Sequence, residues 1–161
     1  MVQISIIRER NLSLGIALSI IITVGSYIAI SIIGIIGGFD FSGVYLFADI
    51  EFALGTIFGV VFTLTKREED HPILKSGVYT GVIGGVLSSV LISLYEMIYY
   101  AIILGPNIWN FILFLGVSIV SGIVIGLIGG ALISTYFTYK EMKGETEEET
   151  LDDDFFDDLT K

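Results

Sequence analysis

Residues 97–139 read MIYYAIILGPNIWNFILFLGVSIVSGIVIGLIGGALISTYFTY, 43 positions without a single Asp, Glu, Lys, Arg or His. A helix needs about 20 mostly apolar residues to cross the hydrocarbon core of a bilayer, because each residue rises about 1.5 Å. The run is too long for one crossing, and Gly105-Pro106-Asn107 within it is a turn signal. We therefore predict that it joins the end of one membrane helix to the whole of the next.

Two further runs without these charged residues, at residues 11–39 and 76–95, extend the pattern over the chain. The composition agrees, since 53% of the residues are hydrophobic and 16% are charged, against about 25% charged in soluble domains. We predict an all-α fold, a polytopic membrane four-helix bundle at residues 1–140 with short loops. The predicted helices lie near residues 12–37, 44–65, 76–104 and 108–139, and a flexible acidic tail follows at residues 141–161.

The basic residues are confined to three segments of the chain, which are the N-terminal end, one loop and the C-terminal end. They are Arg8, Arg10, Lys66, Arg67, Lys75, Lys140, Lys143 and Lys161. Loops rich in Lys and Arg stay on the cytoplasmic side during insertion. This asymmetry predicts a multi-pass protein of the cell membrane with both termini in the cytoplasm.

Small residues recur every four positions in the predicted helices, and glycine alone occupies 19 of 161 positions. Helices in lipid associate through close backbone approach at such residues, so these ladders predict tight helix packing and a possible seam between copies of the chain. The third helix carries Gly77, Gly81, Gly85, Ser89 and Ser93. The fourth carries Ser118, Gly122, Gly126, Gly130 and Ser134. The shorter ladders are Gly55, Gly59 and Thr63 in the second helix and Gly15, Ser19 and Thr23 in the first.

Two glutamates, Glu51 and Glu96, interrupt the apolar helices on faces that carry small residues, and both are predicted near the outer boundary. Ionisable groups inside a membrane are costly and mark paired or functional sites. One interpretation is a site for a proton or a cation reached from outside, with Asp49 at its periphery. The other is structural, with protonated carboxyls bonded to hydroxyls such as those of Tyr95, Tyr99 and Tyr100.

The chain offers no pattern typical of an enzyme. It has no cysteine, and His71 is its one histidine, so cysteine chemistry and a histidine metal pair are excluded. The glycines have helical spacing and lack the lysine of a phosphate-binding loop. We predict no catalytic activity, no cofactor and no metal.

The C-terminal segment is strongly acidic, with ten acidic and three basic residues between Lys140 and Lys161. This charge argues against nucleic-acid binding. Helical spacing would gather four apolar side chains on one side, a pattern that docks into an apolar groove of a partner protein. The alternative is a solvated acidic tail. The four docking candidates are Leu151, Phe155, Phe156 and Leu159.

The stretch from Leu54 to Val90 contains Gly55-x-x-x-Gly59, a charged loop and a second glycine-spaced helix that starts at Lys75-Ser76-Gly77. It resembles small prokaryotic, archaeal-type glycine-rich four-helix membrane proteins of unknown function. The resemblance implies an archaeal or bacterial cell membrane and implies no reaction.

Two functions follow from these observations. The first is a structural or adaptor subunit that contacts membrane lipid, belongs to a homo-oligomer or larger membrane complex, and recruits a cytoplasmic protein through its tail. The second is a small proton or cation translocator, or a subunit of one, that uses Glu51 and Glu96. A continuous polar track through the bundle would favour the second function.

Overall fold

The computed structural model describes residues 2–37, 50–67, 72–103, 105 and 107–158. These residues form four α-helices in chain order: α1 (Val2–Gly37), α2 (Ile50–Thr65), α3 (Ile73–Ile103) and α4 (Ile108–Asp158). The all-helical fold with four helices is the predicted class. Asp49 lies outside the described residues, as do the predicted positions 44–49 of the second helix.

The reversal between α3 and α4 depends on a glycine and a cap. Gly105 has a φ of 84°, a conformation that residues with a Cβ rarely adopt. Asn107 then accepts a hydrogen bond at Oδ1 from the backbone N–H of Trp109 (3.0 Å), which satisfies one of the free donors at the start of α4.

The helices α2 and α3 pack on each other, and α1 and α4 each pack on both of them. Thr80 Oγ1 on α3 donates to Thr63 Oγ1 on α2 at 3.1 Å, which joins the central pair. Gly84 on α3 lies against the Ser19 side chain of α1, and Gly129 on α4 lies against Thr56 of α2. Every helix therefore contacts at least two of the other three.

Small residues set how closely the helices approach. A Cβ added to any of three α3 glycines would lie 3.0 Å or less from a carbonyl oxygen of α4. An added Cβ at Gly15 or Gly55 would come equally close to a carbonyl oxygen across the α1–α2 interface. The two helices of each pair run antiparallel, so the ladders meet turn by turn. The facing positions of α3 and α4 are Gly77 with Gly130, Gly81 with Gly126, and Gly85 with Gly122. Those of α1 and α2 are Gly15 with Gly59 and Thr63, Ser19 with Gly55 and Gly59, and Thr23 with Gly55.

The distribution of polarity is the reverse of that in a water-soluble domain. Among the residues whose burial the structure describes, the interior holds many hydroxyl side chains, of which Ser88 and Ser134 are fully buried. The outer surface carries large aliphatic residues, with Ile36 81% exposed and Ile102 79% exposed. Soluble proteins rarely expose extended apolar surface of this kind.

Three of the helices are long and apolar enough to cross a membrane, over Arg10–Gly34, Ile73–Ile102 and Phe111–Lys143. The fourth apolar helix, Ile50–Thr65, is shorter. Its 16 residues span about 24 Å, against a hydrocarbon core of about 30 Å.

The observed helix ends differ from the predicted ones most at the two ends of the chain. The first helix begins at Val2 rather than near residue 12, and α4 continues to Asp158 rather than ending near residue 139. The tail predicted as a separate segment is thus a helical continuation of α4. Residues 140–149 include several strong helix formers (Glu, Lys and Met), and Gly144 alone does not end the helix.

Candidate functional site

Glu96 lies at the interface of α3 with α1, where its Oε1 accepts a hydrogen bond from the Tyr27 hydroxyl. The two residues are 69 positions apart in the chain. Sequence reasoning had named Tyr95, Tyr99 and Tyr100 as hydroxyl partners, so the donor that the structure shows was missed. A signal for it exists, because Tyr27 follows Gly15, Ser19 and Thr23 at the same spacing of four residues.

Glu51 occupies the first turn of α2 and is only 2% exposed. In the α1–α2 interface Thr23 faces Gly55, and one turn further along this antiparallel register Tyr27 comes level with Glu51. Since Tyr27 also bonds to Glu96, this register places the two glutamates at a similar level of the bundle. The hydrogen bond between Tyr27 and Glu96 joins α3 to α1.

Four buried oxygen atoms near this interface form no hydrogen bond with any residue that the structure describes. They are Oε2 of Glu96 and the hydroxyl oxygens of Ser19, Ser88 and Ser93. The three serines are each no more than 1% exposed. A buried polar atom without a partner costs about 1–3 kcal/mol, more when it is charged. Such atoms are therefore positions at which a water, a proton or a cation would be bound.

Other hydroxyl groups in the helix interfaces are satisfied. Thr80 donates to Thr63, and Thr63 donates to the Gly59 carbonyl at 3.0 Å. Ser89 donates to the Ser118 carbonyl across the α3–α4 interface at 2.6 Å, so Ser118 contributes its backbone rather than its hydroxyl. Of the four unsatisfied oxygens, one lies on α1 and three lie on α3 between Ser88 and Glu96, on either side of the satisfied Ser89.

Ile92 lies between Glu96 and Ser88 on one face of α3. Ser88, Ile92 and Glu96 follow at intervals of four residues, which places them in one row along the helix. The Ile92 side chain is 4% exposed and has no polar atom. The row that contains Ser88 and Glu96 is thus interrupted by an apolar side chain.

Aromatic rings cover the region beside Glu96. Tyr27 meets Tyr95 edge to face with centroids 6.0 Å apart, and Tyr95 stacks on Tyr99 at 6.3 Å. The contacts continue through Tyr100 to Phe114 on α4, with centroids 5.6 Å apart in both steps. Tyr95, Tyr99 and Tyr100 thus take part in a packed aromatic cluster between α1, α3 and α4.

Charge is distributed unequally between the two ends of the bundle. Residues 11–65 and 76–139 contain no Lys, Arg or His, so no basic residue lies close to Glu96 in the sequence. The opposite end carries the Arg67–Glu141 salt bridge at 2.6 Å, and Asn11 Nδ2 donates to the Lys66 carbonyl at 2.9 Å. Among the described residues, no group of three or more His, Cys, Asp and Glu side chains is placed to hold a metal ion.

The docking candidates Leu151, Phe155 and Phe156 lie on the helical backbone of α4, in a part of the chain where side chains are not described. Leu159 lies outside the described residues. The amphipathic character of this segment therefore stays a prediction from its sequence.

Comparisons with models of protein families, with curated protein sequences and with solved structures find no match to this chain. The resemblance to small prokaryotic glycine-rich membrane proteins thus stays a prediction, and the functional argument rests on the geometry of the bundle.

Proposed function

We propose that the chain is an integral membrane protein that crosses the bilayer four times, with both termini in the cytoplasm. The inverted distribution of polarity carries this proposal. Large exposed aliphatic residues suit lipid tails, whereas buried hydroxyls and glycines are the groups through which membrane helices associate. In water the same exterior would favour aggregation.

The crossing formed by α2 includes residues before Ile50 in this proposal. The 16 described residues of α2 are about 6 Å short of a typical hydrocarbon core, a gap equal to about four further helical residues. The sequence places the start of the crossing at Val44. With four crossings, the three basic segments lie on one side, as the rule for cytoplasmic Lys and Arg requires.

Within the membrane the bundle acts as a structural or adaptor subunit. Its interfaces leave no room for a Cβ at the ladder glycines, which indicates a rigid frame. The helix α4 continues for 15 residues beyond Lys143 to Asp158, which is about 22 Å at 1.5 Å per residue. This extension would carry the acidic segment clear of the lipid headgroups toward a cytoplasmic protein with a basic-rimmed apolar groove.

Affinity purification of the full chain from its native membrane tests the adaptor function. A cytoplasmic protein should copurify in stoichiometric amount, and replacement of Phe155 and Phe156 by Ala should release it. A matched control replaces Glu147 and Glu148 by Ala, which keeps the helix and removes no apolar side chain. If the cytoplasmic partner is recovered equally with either double variant, docking through the phenylalanines is contradicted.

A second candidate function is translocation of protons or cations through Glu51 and Glu96. The unsatisfied oxygens of Ser19, Ser88, Ser93 and Glu96 favour it, because transport paths in membranes are built from such groups. Flux into liposomes tests it. Glu96→Gln should abolish an ion-dependent flux, whereas Glu141→Gln, at the salt bridge of the opposite end, should leave it unchanged. Absence of flux with the unmodified protein would refute this function.

A further inference from the structure

We propose that the outward side of α4, at the end of the bundle that carries the basic residues, binds the headgroup of an anionic phospholipid. The binding surface, which we call the α4 headgroup surface, consists of Tyr136, Tyr139, Lys140 and Lys143. This inference rests on the proposed membrane insertion with cytoplasmic termini. It adds to that proposal a lipid partner of defined charge.

The residues of the α4 headgroup surface lie on one side of the helix. They follow one another at intervals of three, one and three positions, which gathers them on a single face. Tyr136 is 63% exposed and Tyr139 is 62% exposed, and both lysines are exposed as well. Ser134, whose hydroxyl donates to a carbonyl of α3, lies about 160° around the helix from Tyr136. The four side chains therefore project away from α3.

The one acidic residue within this segment faces another direction. Glu141 lies about 140° around the helix from Tyr136, and its carboxylate pairs with Arg67 at 2.6 Å. The next acidic residue is Glu145, which is about 8 Å farther along the axis than Lys140, close to one Debye length at physiological salt. Between Tyr136 and Lys143 the outward face thus presents two basic side chains and no acidic one.

The level of this surface matches the headgroup region of a bilayer. Ser134 Oγ donates to the carbonyl of Ile73 at 3.3 Å, and the candidate membrane span of α3 begins at Ile73. From that level Tyr136, Tyr139 and Lys140 lie about 3, 8 and 9 Å farther along α4, against an interfacial layer of roughly 5–8 Å on each side of the core. Tyrosine is enriched in this layer.

The direction of the lysine side chains favours contact with the headgroup. Side chains in a helix lean toward its N-terminus, and in the proposed topology the N-terminus of α4 lies across the membrane. Lys140 and Lys143 therefore lean back toward the bilayer, and their long stems let the ammonium groups reach the phosphate level. A lysine ammonium is a compact positive charge that binds phosphate.

The opposite end of the bundle lacks this combination. Trp109 is 71% exposed there, but residues 76–139 contain no Lys, Arg or His. An exposed aromatic residue without a basic neighbour suits the interfacial layer and offers no charge to an anionic lipid. The aromatic and basic side chains of α4 together therefore indicate a headgroup that carries a net negative charge.

Native mass spectrometry of the full-length protein in detergent tests the proposal, because it counts the bound lipid molecules. The protein is titrated with phosphatidylglycerol and, in parallel, with phosphatidylcholine of the same acyl chains. The unmodified protein should bind phosphatidylglycerol about 5- to 25-fold more tightly, the effect of one or two lysines near a headgroup. Inorganic phosphate at the same concentration as the lipid should not displace it, because phosphate has no apolar part to contact the tyrosine rings.

Single-charge variants locate the site. Lys140→Gln should lower the affinity for phosphatidylglycerol about fivefold and leave that for phosphatidylcholine unchanged. Addition of Lys143→Gln should bring the two affinities close together. Lys66→Gln is the matched control, because it removes the same charge from another exposed residue at this end of the bundle that is not on α4. It should leave the preference unchanged.

Equal affinities of the unmodified protein for the two lipids would overturn the proposal. So would an equal loss with Lys66→Gln and Lys140→Gln, which would mean diffuse attraction to the whole basic end. Displacement of the lipid by inorganic phosphate would also overturn it, because the tyrosines would then contribute nothing. The titrations need no bilayer and do not depend on the orientation of the chain, so a reporter result against four crossings would refute the proposed membrane arrangement separately.

Discussion

The packing of α3 on α4 can be tested most sharply with Gly130→Ala. A Cβ at this position would lie 2.7 Å from the carbonyl oxygen of Gly77 and 2.9 Å from the Cα of Val78. Both contacts are with backbone, so no flexible side chain can move aside. Ordinary contact begins at 3.4 Å, and the helices must therefore separate by about 0.7 Å.

A separation of this size has a calculable cost. A gap of about 0.5–1 Å forfeits roughly a quarter to a half of each dispersion contact along an interface, and overpacking of a close-packed core typically costs about 1–3 kcal/mol. The substitution also gains up to about 1 kcal/mol, because Ala has a higher helix propensity than Gly. The net change thus contains two opposed contributions that a single variant cannot separate.

Gly116→Ala separates them. Gly116 is on the same helix, and an added Cβ would meet nothing within 4 Å, so this variant reports helix propensity alone. We expect Gly130→Ala to be less stable than Gly116→Ala by about 1–3 kcal/mol. Unfolding of the purified protein in mixed micelles, titrated with a denaturing detergent, provides the measurement. Equal stability of the two variants would show that the α3–α4 backbones do not touch.

A double substitution tests the facing residue. Gly77→Ala combined with Gly130→Ala should cost less than the sum of the two single changes, because helices that one methyl group has already separated have room for the second. Additive costs would place the two glycines in independent environments.

Three further predictions concern topology and polar contacts. Compartment reporters fused at Gly105 and after Lys161 should report opposite sides of the membrane; agreement between them would exclude four crossings. Thr80→Val should lower stability by about 1 kcal/mol, because it removes the donor to Thr63 (3.1 Å) at nearly constant volume, and an unchanged unfolding midpoint would argue against this bond. Glu141→Gln should change stability by less than about 1 kcal/mol, since its partly exposed carboxylate is screened by solvent; a larger loss in the same unfolding titration would mean that the salt bridge is effectively buried.

The sequence predicted hydroxyl partners for Glu96 but did not identify Tyr27 as the donor. Tyr95, Tyr99 and Tyr100 were named because they are close to Glu96 in the chain. Tyr95 directly precedes Glu96 and projects about 100° away from it, and in the structure these rings pack on one another. The donor Tyr27 lies on another helix, so its identification required the α1–α3 contact.

The predicted and observed ends of α4 differ for another reason. A change from apolar to acidic composition predicts where a helix leaves the apolar environment, but it does not predict where the helix ends. Continuation of α4 beyond Tyr139 agrees with backbone propensity as far as Glu149, because Glu, Lys and Met support helix whether the surroundings are lipid or water. A single glycine without a following proline is a weak terminator.

The sequence by itself determined the helical class, the number of apolar runs and the spacing of the small-residue ladders, because length, hydropathy and periodicity are local properties of the chain. It also showed that the two segments that contain Glu51 and Glu96, residues 11–65 and 76–139, have no basic residue. Only the tertiary structure decided which ladders face each other, that Tyr27 binds Glu96, and that Ile92 separates Glu96 from Ser88. These features depend on the register between helices, which arises from close backbone contact between segments far apart in sequence.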